Sequence, residues 1–204
     1  MPLRLGALIL LPQRLRFLNR PCSLQPYSHL VLGPESSFYE YDFVDFRQKI
    51  VRWEDLPKWR AAMRASGKRL VVTNGCFDLL HLGHVTYLEQ ARNYGDALLV
   101  GVNGDDAVRQ LKGPERPINE EYDRAAVLAA LESVAGVCIF ADKTATRFLA
   151  AAQPDIYVKG GDYTLETLNA DERKTVEAAG GKIVIIPFVP GKSTTATLKK
   201  ISRL

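Results

Sequence analysis

The sequence predicts an α/β protein built on a doubly wound parallel sheet, and three observations lead there. Short β-branched runs alternate with stretches of helical period, glycine, proline and Asx residues punctuate the joins, and 47% hydrophobic content over 204 residues suffices for one sizeable core. Alternation of this kind implies parallel strands covered by helices on both faces, a Rossmann-like arrangement here of five strands. A second large domain does not fit in this length.

Residues 1–45 are set apart as an N-terminal extension, and residues 46–204 as the folded domain. The first 34 residues carry Arg4, Arg14, Arg16 and Arg20, no lysine, and no acid before Glu35. This composition suits a disordered extension, an upstream start or a targeting peptide. Its apolar run, LGALILL, stops at Pro12 and is too short to span a bilayer, so no stable membrane insertion is expected.

Order is expected to begin near IVRWEDLPKW. Leu56, Trp59 and Met63 recur at helical spacing, Pro57 is tolerated in a first turn, and Gly67 is a stop signal. LVVTN (70–74) reads as the first strand and is followed by a helix from Gly83 to Tyr94. ALLVGVN (97–103) reads as the second strand, with a short helix over 105–111 and a loop, KGPERPIN, after it. A helix over 121–132, the strand GVCIF, a helix over 144–152, the strand DIYVK, a helix over 171–179, the strand KIVIIPF and a helix from Thr194 complete the chain.

Ligands in such sheets bind beyond the carboxyl ends of the strands, where strand order reverses. NGCFD, NGDD, KGGDY and PGKSTT all fall just after strands. Three cysteines, Cys22, Cys76 and Cys138, lack a C-x-x-C pair and suit a reducing cytoplasm. The formal charge of +4 comes from 27 bases interspersed with 23 acids, which gives no basic arm for nucleic acid.

His81 and His84 flank Gly83 where a helix begins. A helix N-terminus offers free N–H groups and a positive dipole end, so a docked phosphate would meet two imidazoles, and Gly83 would let it approach the backbone. The plainer alternative is a polar turn residue followed by a histidine packed under its helix. Zinc is disfavoured, since no glutamate accompanies the pair as in H-E-x-x-H and the spacing straddles a turn.

The stretch T-N-G-C-F-D-L-L-H-L-G-H, directly after a strand, resembles the H-x-G-H nucleotidyltransferase superfamily, whose fold is cytidylyltransferase-like. From about Lys49 to Ile201, the order of GCFDLLHLGH, VGVNGDDAVRQLKGPERPIN, DRAAVLAALESV, VKGGDY, GGKIVIIPF and GKSTT resembles the adenylyltransferase domain of the ADP-heptose synthases. That resemblance implies transfer of AMP from ATP to D-glycero-β-D-manno-heptose 1-phosphate, for lipopolysaccharide core biosynthesis. It also implies Mg²⁺ carried with the ATP and no covalent intermediate.

Carried over, the resemblance makes His81, His84 and Lys112 the catalytic set, with Lys112 in a loop after the short helix. Asn74, Gly75, Cys76, Phe77 and Gly83 would cradle the nucleotide, and Arg124 would reach the triphosphate or else be an ordinary exposed helix residue. Gly160 and Gly161 would let bare backbone approach a flat base, with Asp162 accepting from an amine or ribose hydroxyl, or the three would simply form a turn. Ser193, Thr194 and Thr195 match the family's S-T-T at the last helix, although one hydroxyl could be no more than an N-cap. PGKST is not a Walker A loop, because Ile186 stands where that pattern needs glycine. Asp78, Asn103 and Arg116 are weaker candidates on the substrate side, Asp78 either orienting hydroxyls or bracing its loop. Cys76 could be read as a thiol nucleophile, but the resemblance gives it a backbone role.

Two rival functions stand beside this one. A glycerol 3-phosphate cytidylyltransferase would carry R-T-E-G-I-S-T-T, where this chain has Phe188 for the arginine and Lys192 for the isoleucine. A nucleotide-binding module without catalysis would have been free to lose His81, His84 or Lys112. Only about 50 residues precede the match, fewer than a typical domain needs, so the expectation is a stand-alone transferase supplied by a separate heptose kinase. A homodimer is admitted as a partner state.

Overall fold

A computed structural model describes residues 45–161, 163–164, 166–187 and 194–201. Two short 3-10 helices, Phe46–Lys49 and Trp53–Asp55, precede the first α-helix. The elements then run α1 (Leu56–Ala65), β1 (Leu70–Gly75), α2 (Leu82–Arg92), β2 (Ala97–Asn103), α3 (Asp105–Lys112), α4 (Glu121–Ala129) and β3 (Gly136–Phe140). They continue with α5 (Thr146–Ala152), β4 (Ile156–Gly160), α6 (Ala170–Ala178), β5 (Lys182–Ile186) and α7 (Thr194–Ile201).

The five strands form one parallel sheet, as the alternating pattern predicted, and their order is β3-β2-β1-β4-β5. The chain starts the sheet at its centre, builds outward to β3, and returns to add β4 on the other side of β1. Strand order therefore reverses between β1 and β4.

Period-two alternation sends successive side chains to opposite faces. Leu70, Val72, Leu99, Cys138 and Tyr157 pack with Leu56 of α1, Phe148 and Leu149 of α5, and Val176 of α6. Val71, Leu98, Val100, Val137 and Val158 pack on the other face, with Leu88 of α2 and Ala125 and Leu128 of α4. Strands buried on both faces explain why the runs read as continuous apolar stretches rather than as alternation.

Two helices are shorter than their patterns by two or more residues. The helix expected over 121–132 ends at Ala129, because the chain must turn there to let the Ala135 N–H bond Leu98 O at 2.9 Å and enter the sheet. The helix expected from Thr144 begins at Thr146, since the Ala145 N–H donates to Glu172 Oε1 at 2.8 Å. In α1, Leu56 lies in the core as expected, but so does Arg60, only 3% exposed. Its guanidinium donates to Gln153 O and Asp155 Oδ1, each at 3.0 Å, and Asp155 in turn accepts the Leu70 N–H, so one buried cation ties α1 to the starts of β1 and β4.

Gly101 on β2 lies under Phe148, where an added Cβ would sit 2.5 Å from the ring. Gly101→Ala is expected to push Phe148 off its stack on Phe140 and to cost about 1–3 kcal/mol, read as a lowered midpoint in urea denaturation.

Candidate active site

A cavity of about 610 Å³ opens at the carboxyl edge of the sheet, where β1 and β4 diverge. Its size is that of a small-molecule site. The divergence produces it: helices after β1 and after β4 leave on opposite faces, and neither covers the gap.

On the α2 face, β1 runs into N-G-C-F-D. Phe77 takes φ +46, in the left-handed region, and its ring is buried against His84 with centroids 5.4 Å apart. Gly75 packs closely under that ring, and a Cβ there would lie 3.1 Å from it, so the ring would have to shift slightly. His81 is the N-cap of α2 through its carbonyl, which accepts the His84 N–H at 2.8 Å, and no side chain caps the helix. The Leu82 and Gly83 N–H groups are left without an intrahelical partner at this terminus, and Gly83 and both histidines line the cavity.

The two imidazoles stack with centroids 3.9 Å apart and planes 20° from parallel. Burial first, and the neighbouring His81 second, push His84 down to about 4, so its ring is neutral at pH 7. His84 Nδ1 is buried with no hydrogen-bond partner among the described residues. A stacked pair in which His84 is neutral, beside an uncapped helix terminus, is suited to receive an anion.

A family model described as cytidylyltransferase-like matches residues 72–198, which include this whole constellation. The chain belongs to the cytidylyltransferase-like family. Two proteins named bifunctional protein HldE are similar to it. That of Trichlorobacter lovleyi is 48% identical over 157 residues, 77% of this chain and 32% of its own length. That of Hyphomonas neptunium is 52% identical over 143 residues, 70% of this chain and 28% of its own. The chain thus spans about a third of the length of these curated relatives. The solved lipopolysaccharide core biosynthesis protein from Thermoplasma volcanium is 28% identical, covers 60% of this chain and 98% of its own, and superposes with a TM-score of 0.51.

Most residues singled out in the sequence meet in the cavity of this cytidylyltransferase-like domain. Asn74, Gly75, Cys76 and Phe77 line it from β1 and its loop, Asn103 from β2, Gly160 from β4, and Thr194 and Thr195 from α7. Thr194 Oγ1 donates to Leu79 O at 3.2 Å, which brings the start of α7 beside the histidine loop. Asp162 and Ser193, like Phe188, Lys192 and residues 1–44, lie outside the described residues.

Several expectations are corrected. Lys112 is the last residue of α3, not a loop residue, and faces the cavity from there. Arg124 is neither exposed nor on the cavity wall. Its guanidinium is fully buried and donates to Asn119 O, Cys76 O and Asn103 O at 3.0, 2.5 and 2.8 Å, with an ion pair to Asp105 at 2.8 Å. Those acceptors belong to three separate segments around the cavity, so Arg124 holds the wall rather than touching what lies inside it.

Asp78 resolves to the bracing role. One carboxylate oxygen accepts the Ile118 and Asn119 N–H groups at 2.7 and 3.1 Å, and the other is paired with Arg116, and both residues line the cavity. The Arg116–Pro117 bond in this loop is cis.

Gly160 lines the cavity, and its lack of a side chain also serves the packing beside it. The ring of Tyr87 fills the space a Cβ would take, at 2.7 Å, and the Tyr87 hydroxyl bridges Thr73 and Val158 O. Gly161 stands at φ +123, which favours glycine, and donates to Ile186 O at 2.9 Å, so it serves the turn. The Cys76 thiol is raised by burial, with Lys112 and Arg124 only partly opposing, which keeps it protonated and unsuited to nucleophilic attack.

Sequence reasoning missed Tyr87, Lys143, Thr144, Lys159, Tyr163 and Glu172, all on the cavity wall. Lys159 carried a signal, a lysine at the end of an otherwise apolar strand, whereas Glu172 looked like any acid in a first helical turn.

Arg124→Met keeps the stem and removes the donors. It leaves a carboxylate and buried carbonyls unpaired, and is expected to cost about 3–5 kcal/mol, measured by urea denaturation. His84 gives a pH signature. Its folded-state value lies below the ordinary 6.5, so the unfolded chain takes up the proton first and stability falls as pH drops from about 6.5 to about 4. His84→Gln is expected to flatten the melting temperature across that window.

Proposed function

We propose that the domain is an adenylyltransferase that joins AMP from ATP to a sugar 1-phosphate, D-glycero-β-D-manno-heptose 1-phosphate, giving ADP-heptose and pyrophosphate. The stacked histidine pair at the uncapped start of α2, inside a cavity at the strand-order reversal, carries the reading. Identity at about half of the aligned positions with proteins named HldE supports the choice of substrates.

A phosphate oxygen of the sugar 1-phosphate attacks the α-phosphorus, and the bond from that phosphorus to the bridging oxygen breaks as pyrophosphate leaves. Negative charge grows on the leaving group and on the equatorial oxygens. The first-turn N–H groups of α2, the ring N–H groups of His81 and His84, and the Lys112 ammonium are the donors placed to meet it. Cys76, protonated, takes no covalent part.

Mg²⁺ enters as the counter-ion of the triphosphate. Among the described residues no group of three or more His, Cys, Asp or Glu is placed to hold a metal ion, so the polyphosphate itself would supply most of its ligands. A heptose kinase must act earlier, because the acceptor already carries its 1-phosphate. ATP and sugar phosphates place the reaction in the cytoplasm, and none of the described helices is long and apolar enough to cross a membrane.

Pyrophosphate release is expected from Mg·ATP with heptose 1-phosphate, and not from CTP with glycerol 3-phosphate. His81→Ala and His84→Ala are each expected to lower kcat by about 10²–10³-fold. Preference for the CTP pair would make it a cytidylyltransferase, and silence with both pairs despite ATP binding would make it a binding module. Phosphate binding should also raise His84 from about 4 and draw a proton from solvent. Calorimetry of ATP binding in buffers of different ionisation enthalpy should show proton uptake near pH 5–6, lost in His84→Gln.

A further inference from the structure

The cavity has a second lobe whose chemistry differs from that of the histidine lobe. Alternation along β1 and β4 sends Thr73, Val158 and Gly160 towards α2, but Asn74, Tyr157 and Lys159 towards α5 and α6. Lys159 Nζ donates to Asn74 Oδ1 at 2.9 Å and lies 3.5 Å from Glu172 Oε2. Glu172, 5% exposed, is itself committed: Oε1 accepts the Ala145 N–H at 2.8 Å, and Oε2 lies 2.9 Å from the Tyr157 hydroxyl. An ammonium has three donors, so with Asn74 and Glu172 served, one remains for the cavity that Lys159 lines.

Glu172 cancels the charge of Lys159. A phosphate dianion placed in this lobe would meet a buried carboxylate, whereas a neutral hydroxyl would meet a donor without net repulsion. The walls fit the same class of group. Tyr163 is 44% exposed with its ring 5.7 Å from Lys159 Nζ, and the Thr144 residue stands at the rim.

Displacement at phosphorus is in line, so the attacking group must approach opposite the leaving pyrophosphate. If the histidines and the α2 terminus receive the pyrophosphate, the acceptor comes from the α5–α6 side. We propose that Lys159, held by Glu172, is the specificity-determining residue for the acceptor, donating to a hydroxyl of a sugar seated in the α5–α6 lobe with a C–H face against Tyr163. This assignment rests on the adenylyltransferase reading above and names the substrate side of the same site.

The test separates acceptor from nucleotide. Lys159→Met, Lys159→Arg and Glu172→Gln are compared with the unaltered protein in pyrophosphate release, and in calorimetry with a non-hydrolysable ATP analogue and with heptose 1-phosphate. Lys159→Met is expected to raise KM and Kd for heptose 1-phosphate by about 10–100-fold, with the ATP values within about twofold and partial recovery in Lys159→Arg. Glu172→Gln, which keeps the shape of the contacts, should shift the same acceptor values if Lys159 folds poorly as methionine. Equal weakening of ATP and acceptor, or weakening of ATP alone, would overturn the assignment. If the unaltered protein does not use heptose 1-phosphate, mannose 1-phosphate and glucose 1-phosphate are titrated instead. Binding of either that depends on Lys159 would retire the heptose and keep the lobe, and sugar phosphate binding indifferent to Lys159 would sink the proposal.

Discussion

A parallel sheet entered at its centre must be extended twice in opposite directions, and the rest of this site depends on the gap that this constraint opens between β1 and β4. No helix can cover that gap, because the segments leaving β1 and β4 diverge to opposite faces. The carboxyl ends of both strands are left facing a cavity, and the side chains at those ends inherit two environments from the pleat alone. Thr73 and Gly160 meet the tyrosine of α2, while Asn74 and Lys159 meet the acids and hydroxyls around α6.

The gap has to be held open, and buried polar groups do this more than the apolar core does. Arg124 draws in carbonyls from the loop after β1, the end of β2 and the loop before α4. Asp78 gathers the backbone of Ile118 and Asn119 together with Arg116. Both groups are enclosed, so breaking either network leaves charge or carbonyls without water, which is why such residues position a wall firmly. The apolar clusters lie deeper, on either face of the sheet, and fix the platform rather than the loops.

The two lobes divide the electrostatic work. The histidine lobe combines stacked imidazoles, an uncapped helix terminus and Lys112, and so is completed by negative charge. In the other lobe, Lys159 is already balanced by its own carboxylate, and Lys143 stands on the wall beside Thr144. The proposed reaction, which joins two phosphorylated substrates, calls for such a division, since one cavity uniformly positive would hold either substrate in either place.

The sequence by itself determined the five strands, their parallel pairing and the loops that line the cavity, because apolar periodicity and turn residues are local signals and parallel strands buried on both faces leave a strong one. It also placed the histidine pair at a helix start, since the strand, the glycines and the H-x-G-H spacing are contiguous in the chain. Only the tertiary structure decided what Arg124, Asp78 and Gly160 do: an exposed-looking arginine became a buried clamp, a candidate substrate ligand became a brace, and a glycine proved to be shaped by Tyr87. The same holds for Lys159 and Glu172, which lie thirteen positions apart on different elements. Their pairing depends on how α6 docks against β4, a long-range packing outcome that no local pattern encodes.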